Sequence, residues 1–300
     1  MANSQRNRLE VACDNAGWTH SRRVLCLGFE WSILTNDPAL VHCVTSLYED
    51  CIDGKPGPAR RVFLVHRHTN SAVSLYRDGR AILRRAPEGL AIAQLVWEVN
   101  RGVVEEAGNR LLLHGAAAER DGRIVVLAGP EGSGKSTLVT ALVCAGLRYL
   151  TDEMVAVEVP AGTIAPYPKP IALHGDALGL LRILGASLPV ALESADGERL
   201  VPAQGIPGGA VAQPGGHAHL LVLLSPSQPG RRAAARSIPR AEAATAVAEQ
   251  AYNFRELGPG RLDVIAHLVR SCDCYRLDVG DIAATRRLVL DLLDASVTGR

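Results

Sequence analysis

The run Gly129-Pro130-Glu131-Gly132-Ser133-Gly134-Lys135-Ser136-Thr137 has the spacing G-x4-G-K-[ST], and it constrains this chain more than any other stretch. Its context narrows the fold further. Ile124-Val125-Val126-Leu127-Ala128 before it reads as a buried strand. Ser136 to Ala145 after it reads as a helix, stopped by Gly146. Glycines at this spacing let the backbone wrap around an anion with its N–H groups pointing inward. The following helix aims the positive end of its dipole at the same place. A strand, a glycine loop and a helix in that order require a sheet covered by helices, so an α/β core is expected.

The chemistry of the loop suggests ATP and Mg²⁺ as ligands. Lys135 has the reach for β- and γ-phosphate oxygens, and the Ser136 hydroxyl can hold Mg²⁺. Only three of the 32 basic residues are lysines (Lys55, Lys135 and Lys169), and one occupies a position where arginine would not substitute. The alternative is a glycine-rich strand–helix turn with no nucleotide.

At 300 residues the chain is long enough for two domains. In the first hundred, Val24 to Trp31 and Arg61 to Val65 read as strands, Asn36-Asp37-Pro38 as a helix start and Asp53 to Pro58 as a loop. Asp78-Gly79 reads as a hairpin turn and Leu90 to Val104 as a helix. The boundary falls between Glu105 and Asn109, giving a small mixed α+β unit over 1–108 and a larger unit over 109–300. In the second, Leu111 to Ala118, Arg148 to Val159, Leu220 to Leu224 and Tyr275 to Val279 read as strands. Arg240 to Tyr252 and Ala283 to Leu293 read as helices. Pro202 to His217, rich in proline and glycine, is expected to be a mobile loop.

Composition removes several function classes. A net charge of +1 gives no global field for nucleic acid or an anionic membrane. The apolar runs are far shorter than the roughly 18 residues of a spanning helix. The first residues lack the apolar core of a secretion signal, and seven scattered cysteines suit a reducing cytoplasm.

Phosphoryl transfer also needs carboxylates, and the strand Leu220 to Leu224 ends in Ser225-Pro226 without one. Arg148-Tyr149-Leu150-Thr151-Asp152-Glu153 supplies an acid pair soon after the loop. One short helix and a return to the sheet would bring Asp152 to face a γ-phosphate as a base, with Glu153 serving the metal. A solvated strand edge is the plainer alternative for the pair.

With His114-Gly115, a hairpin, the glycine loop and then Gly146 to Glu153, the segment Leu111 to Gly185 resembles the catalytic domain of HPr kinase/phosphorylase. That family phosphorylates a serine of a small carrier protein on a core similar to phosphoenolpyruvate carboxykinase. The resemblance implies an ATP-dependent serine kinase in which Asp152 is catalytic base and acid, and His114 lies beside it and the phosphate. By its strand alone, His114 is more often a core histidine. Glu153 stands where the family has a second aspartate. The family's later metal-side glutamate aligns loosely with Ala172-Leu173-His174-Gly175 and is missing, although Asp176 is close.

A kinase-only relative is therefore expected, of the kind found beside lasso-peptide and other precursor-peptide genes, acting on a protein or peptide serine. The resemblance also implies homo-oligomers. A small-molecule kinase and a non-catalytic ATP-binding module are the competing classes. An arginine lid, with Arg231 to Arg240 as its candidate, would mark the former. Cys272-Asp273-Cys274 with His217-Ala218-His219 is too sparse to read as a zinc site. Lys169, within Tyr167-Pro168-Lys169-Pro170, reads as a surface lysine rather than a substrate contact.

Overall fold

The computed structural model describes residues 17–188, 192–193, 197–206, 215–226, 230 and 232–296. Its first sheet holds β1 (Thr19–His20), β2 (Arg22–Cys26), β3 (Phe29–Thr35), β4 (Ile52–Pro56), β5 (Arg61–Arg67), β6 (Val73–Arg77) and β7 (Arg80–Ala86). The order is β4-β2-β3-β5-β6-β7, with β1 against β3. Val24 to Trp31 is not one strand. Leu27 and Gly28, at φ 50° and 93°, turn it into the β2–β3 hairpin. Most of the expected Asp53–Pro58 loop is edge strand β4, because pairing with β2 satisfies its backbone.

The parallel pair β3–β5 is bridged by helix α1 (Pro38–Leu47), capped by the Asp37 carboxylate at 2.9 Å from the Ala39 amide. Helix α2 (Glu88–Glu105) buries Ala91, Ile92, Leu95, Val96, Val99 and Val103 on the core side. Gly102 lets it press on Phe29, since a Cβ there would lie 2.3 Å from the ring.

The second sheet begins with β8 (Arg110–Arg120) and β9 (Arg123–Ala128). The loop then leads into α3 (Lys135–Val143). Strands β10 (Arg148–Thr151), β11 (Met154–Glu158) and β12 (Thr163–Ala165) follow. A small sheet of β13 (Ile171–Leu173), β14 (Leu192–Glu193) and β15 (Arg199–Val201) stands apart, with α4 (Ala177–Ile183) between β13 and β14. Next come β16 (Gly216–Leu224), β17 (Ala234–Ser237), α5 (Arg240–Glu249), α6 (Arg261–Ser271), β18 (Asp273–Asp278) and α7 (Ile282–Ala295).

Strands β9, β16 and β18 form a parallel core in which β16 lies between the other two. On β16, Leu220, Val222 and Leu224 face α3 and α7, while Leu221 and Leu223 face α5 and α6. That double burial explains its unbroken apolar run. The three strands share one polarity, so the segments after Ala128, Leu224 and Asp278 emerge at the same edge, where ligands bind in open α/β sheets. Arg148 to Val159 is interrupted at Asp152-Glu153. Helix α6 was not legible because Gly258-Pro259-Gly260 opens it. Of the expected loop Pro202–His217, residues 207–214 lie outside the described residues, and His217 belongs to β16.

The core of the first sheet is completed by residues from the second half of the chain. Leu112, Met154, Ala156, Tyr167 and Leu200 pack with Trp31, Phe63 and Val99 in one cluster. Among the described residues, no helix is long and apolar enough to cross a membrane.

Candidate anion and acid-pair site

The glycine loop links β9 to α3. Gly132 and Gly134 sit at φ 74° and 89°, which a side chain would strain, and the first helical bond runs from Leu138 N to Gly134 O at 2.9 Å. Gly129 is required for a second reason, because a Cβ there would meet Leu224 O at 2.7 Å. Lys135 curls back over the loop, donating to Gly129 O at 2.8 Å and Pro130 O at 2.9 Å. Burial pulls its pKa below the ordinary lysine value, against the opposing pull of Glu153, Glu131 and Asp152. The Ser133 hydroxyl is buried in the loop with no hydrogen-bond partner.

A cleft of about 680 Å³ opens over this loop. Its walls include His114, Glu131, Gly132, Gly134, Lys135, Ser136 and Thr137. Asp152, Glu153 and Tyr252 line it as well. The residues expected to act together are therefore in one place, with Glu131 among them. A smaller hollow of about 300 Å³ flanks the loop toward Val279, Gly280 and Asp281, at the end of β18. Asp176 lines that hollow and not the main cleft.

The acid pair sits where β10 gives way to β11. The β10–β8 register shifts between Tyr149 and Thr151, and the Thr151 hydroxyl accepts from the amides of Glu153 and Met154, both at 3.2 Å. This small turn lifts both carboxylates out of the strand pattern. Asp152 Oδ1 accepts from the Tyr149 hydroxyl at 2.8 Å and pairs with Lys169 Nζ at 2.8 Å. Its Oδ2 accepts from the Ala172 amide at 3.2 Å.

Lys169 corrects the sequence reading. It is not a surface residue: its side chain and that of Asp152 are each 1% exposed. Burial is the largest single influence and disfavours the Lys169 ammonium, but the Asp152, Glu153 and Glu198 carboxylates together outweigh it and lift its pKa above the lysine value. Its Nζ also donates to Pro170 O at 2.9 Å. The signal was present in the sequence as lysine scarcity, since two of the three lysines converge on one site.

Glu153 Oε1 accepts from the Tyr252 hydroxyl at 2.8 Å, and burial with this carboxylate raises the phenol well above its ordinary range. Tyr252, just past α5, was also missed, because a tyrosine after a helix carries no motif. His114 is half-buried at the point where β8 changes partners, from β11 to β9 and β10. Its ring lies 5.7 Å from that of Tyr252. Burial and the Lys135 ammonium push its pKa down. Gly115 follows because a Cβ there would meet Leu127 O at 2.7 Å. Glu198, which pairs with His174 at 3.4 Å, is a further cleft carboxylate that the sequence did not mark.

Among the described residues, no three His, Cys, Asp or Glu side chains are grouped to hold a metal. That donor set still fits Mg²⁺, which keeps waters and substrate phosphates and needs only one or two protein oxygens. Ser136 and Glu153 can supply these. Cys272 and Cys274 are buried with α6 rather than facing the cleft, and Arg236 pairs with Glu242 away from it. Arg231 lies outside the described residues.

The fold and the site define a mixed α/β protein with a glycine loop and an acid pair at the edge of its sheet. No family model matches the chain. It is similar to the sn-glycerol-3-phosphate import ATP-binding protein UgpC of Burkholderia lata, with 41% identity over 68 residues, which is 22% of this chain and 18% of that protein. The chain thus spans less than a fifth of that relative. Among solved structures it is similar to the Hpr(Ser) kinase/phosphatase from Coxiella burnetii at 12% identity and a TM-score of 0.29, covering 61% of this chain and 88% of that one.

Proposed function

We propose that this chain is an ATP- and Mg²⁺-dependent kinase, similar to HPr kinase, that transfers a γ-phosphoryl group to a serine hydroxyl of a protein or precursor peptide. The observation that carries this reading is the convergence of the glycine loop, Lys135 and the Asp152–Glu153 pair on one cleft. The ATP-binding relative supports a nucleotide as the loop's ligand. In this reading residues 109–300 carry the chemistry and residues 1–108 assist acceptor recognition.

Lys135 exchanges its two loop carbonyls for β- and γ-phosphate oxygens, and the loop amides hold the same oxygens. Ser136 and Glu153 would hold Mg²⁺, which neutralises charge on the phosphates. Asp152 accepts the serine proton. Its Oδ2 uses one lone pair on the Ala172 amide and keeps another for that proton. As the O–H bond breaks, the serine oxygen bonds to the γ-phosphorus. The bond to the β,γ-bridging oxygen breaks with its electron pair, releasing ADP. His114, whose pKa burial and Lys135 push down, can hydrogen-bond beside the transferring group.

The test is labelled ATP with candidate acceptors. Asp152→Asn should lose transfer by at least a hundredfold with ATP affinity intact; unchanged transfer removes Asp152 as the base. Lys135→Ala should abolish both binding and transfer, and surviving ATP affinity would reject the loop assignment.

A further inference from the structure

Glu153, Tyr252, Trp97, Ala172 and Glu198 border two hollows at once. The second is a groove of about 530 Å³ that runs from the acid pair along α2. Helix α2 has two apolar stripes. One packs into the core, whereas Leu90, Ala93, Trp97 and Val104 line the groove at helical spacing. Trp97 is 55% exposed and Leu90 37%, an unusual outlay of apolar surface beside a polar cleft.

Position says what covers this stripe. An in-line displacement needs the acceptor opposite the leaving group. The hollow at Val279 to Asp281 meets the cleft at Gly132, Gly134, Thr137 and His174, whereas the α2 groove meets it at Trp97, Glu153, Ala172, Glu198 and Tyr252 and shares no residue of the loop. Length says more: Leu90 to Glu105 spans about 22 Å of helix, room for six or seven residues of extended chain. A small metabolite would not use such a length. Charge limits the occupant as well. The cations lining the groove are already paired, Arg101 with Glu105 at 2.9 Å and Lys169 with Asp152 at 2.8 Å.

We propose that this groove seats the acceptor as an extended polypeptide segment, with an uncharged apolar side chain against Trp97 and the reacting hydroxyl at the Glu153–Tyr252 end. The proposal rests on the kinase reading and adds a sequence preference to it: apolar residues favoured near the serine, aspartate and glutamate disfavoured.

The experiment uses the full chain, labelled ATP and an array of dodecapeptides that carry one serine with each flanking position varied. A leucine, phenylalanine or tryptophan within four residues on one side should raise kcat/KM at least tenfold over alanine. Trp97→Ala should raise KM for the best peptide about tenfold, change kcat less, and flatten the preference. Leu90→Ser, at a residue that lines the groove and not the cleft over the loop, should raise KM severalfold with ATP affinity unchanged.

A flat preference in the native chain, or one that survives Trp97→Ala, overturns the proposal. So does a dimer in sedimentation that Trp97→Ala dissociates, because a second copy would then cover α2. Transfer to free serine or glycerol but to no peptide overturns the groove and leaves the kinase standing. Absence of ATP binding in the native chain instead rejects the kinase reading itself.

Discussion

A lysine and an aspartate, each 1% exposed and 2.8 Å apart, are expensive to bury singly and tolerable only as a pair. Lys169→Met leaves Asp152 with the Tyr149 hydroxyl and the Ala172 amide but no counter-charge. It should cost about 3–5 kcal/mol of stability, measured by urea denaturation. The double variant Lys169→Met, Asp152→Asn should recover most of that loss and none of the transfer. Recovery of transfer would remove Asp152 from the chemistry. The sign of the pH dependence follows from the raised Lys169 pKa. A cation favoured by folding stabilises fully below the ordinary lysine value of 10.5, and the contribution is lost as pH rises through the higher folded value. Through neutrality Lys169 should add no slope. An alkaline loss that Lys169→Met abolishes is the expected result in melts taken from pH 7 upward.

The elements that present the site are held by short-range devices. Thr151 caps two amides at the break between β10 and β11. Thr151→Ala should cost about 1 kcal/mol and lower transfer more than that stability change explains, because both carboxylates hang on this turn. Gly115→Ala has no room beside Leu127 O and should destabilise by about 1–3 kcal/mol, with β8 displaced around His114. These elements also show what was legible in the sequence. The glycine loop was, because its glycines and Lys135 are fixed by backbone conformation and local charge. The hairpin at Asp78-Gly79 was too, since both residues take φ > 0. The β10–β11 break was not, because Tyr149, Leu150, Met154 and Val155 are all buried and read as one apolar run around two acids. Lys169 was misread because its partner lies 17 positions away in sequence, and nothing local distinguishes a buried lysine from a solvated one. The α2 groove was invisible for the same reason. Leu90 and Trp97 look like core residues until the sheet beneath them is seen to be filled by their neighbours.

At the scale of the molecule, the first sheet's core is finished by Leu112, Met154, Tyr167 and Leu200 from the second half. Separating the halves would expose that shared surface, so they should unfold together. The sequence places all three tryptophans, Trp18, Trp31 and Trp97, in the first hundred residues, far from the glycine loop along the chain. Tryptophan fluorescence therefore reports the first half, Trp31 from its core and Trp97 from the wall of the cleft, while far-ultraviolet circular dichroism reports both halves. Their thermal transitions should coincide. ATP with Mg²⁺ at a hundredfold excess over its dissociation constant should raise both by the same amount, equivalent to about 2.7 kcal/mol. An earlier fluorescence transition that ATP does not move would show that the halves melt independently. The α2 wall of the groove would then not be held rigid against the acid pair. Coincident shifts would mean that binding at the loop is felt through the shared core as far as Trp31, as positioning an acceptor across two sheets requires.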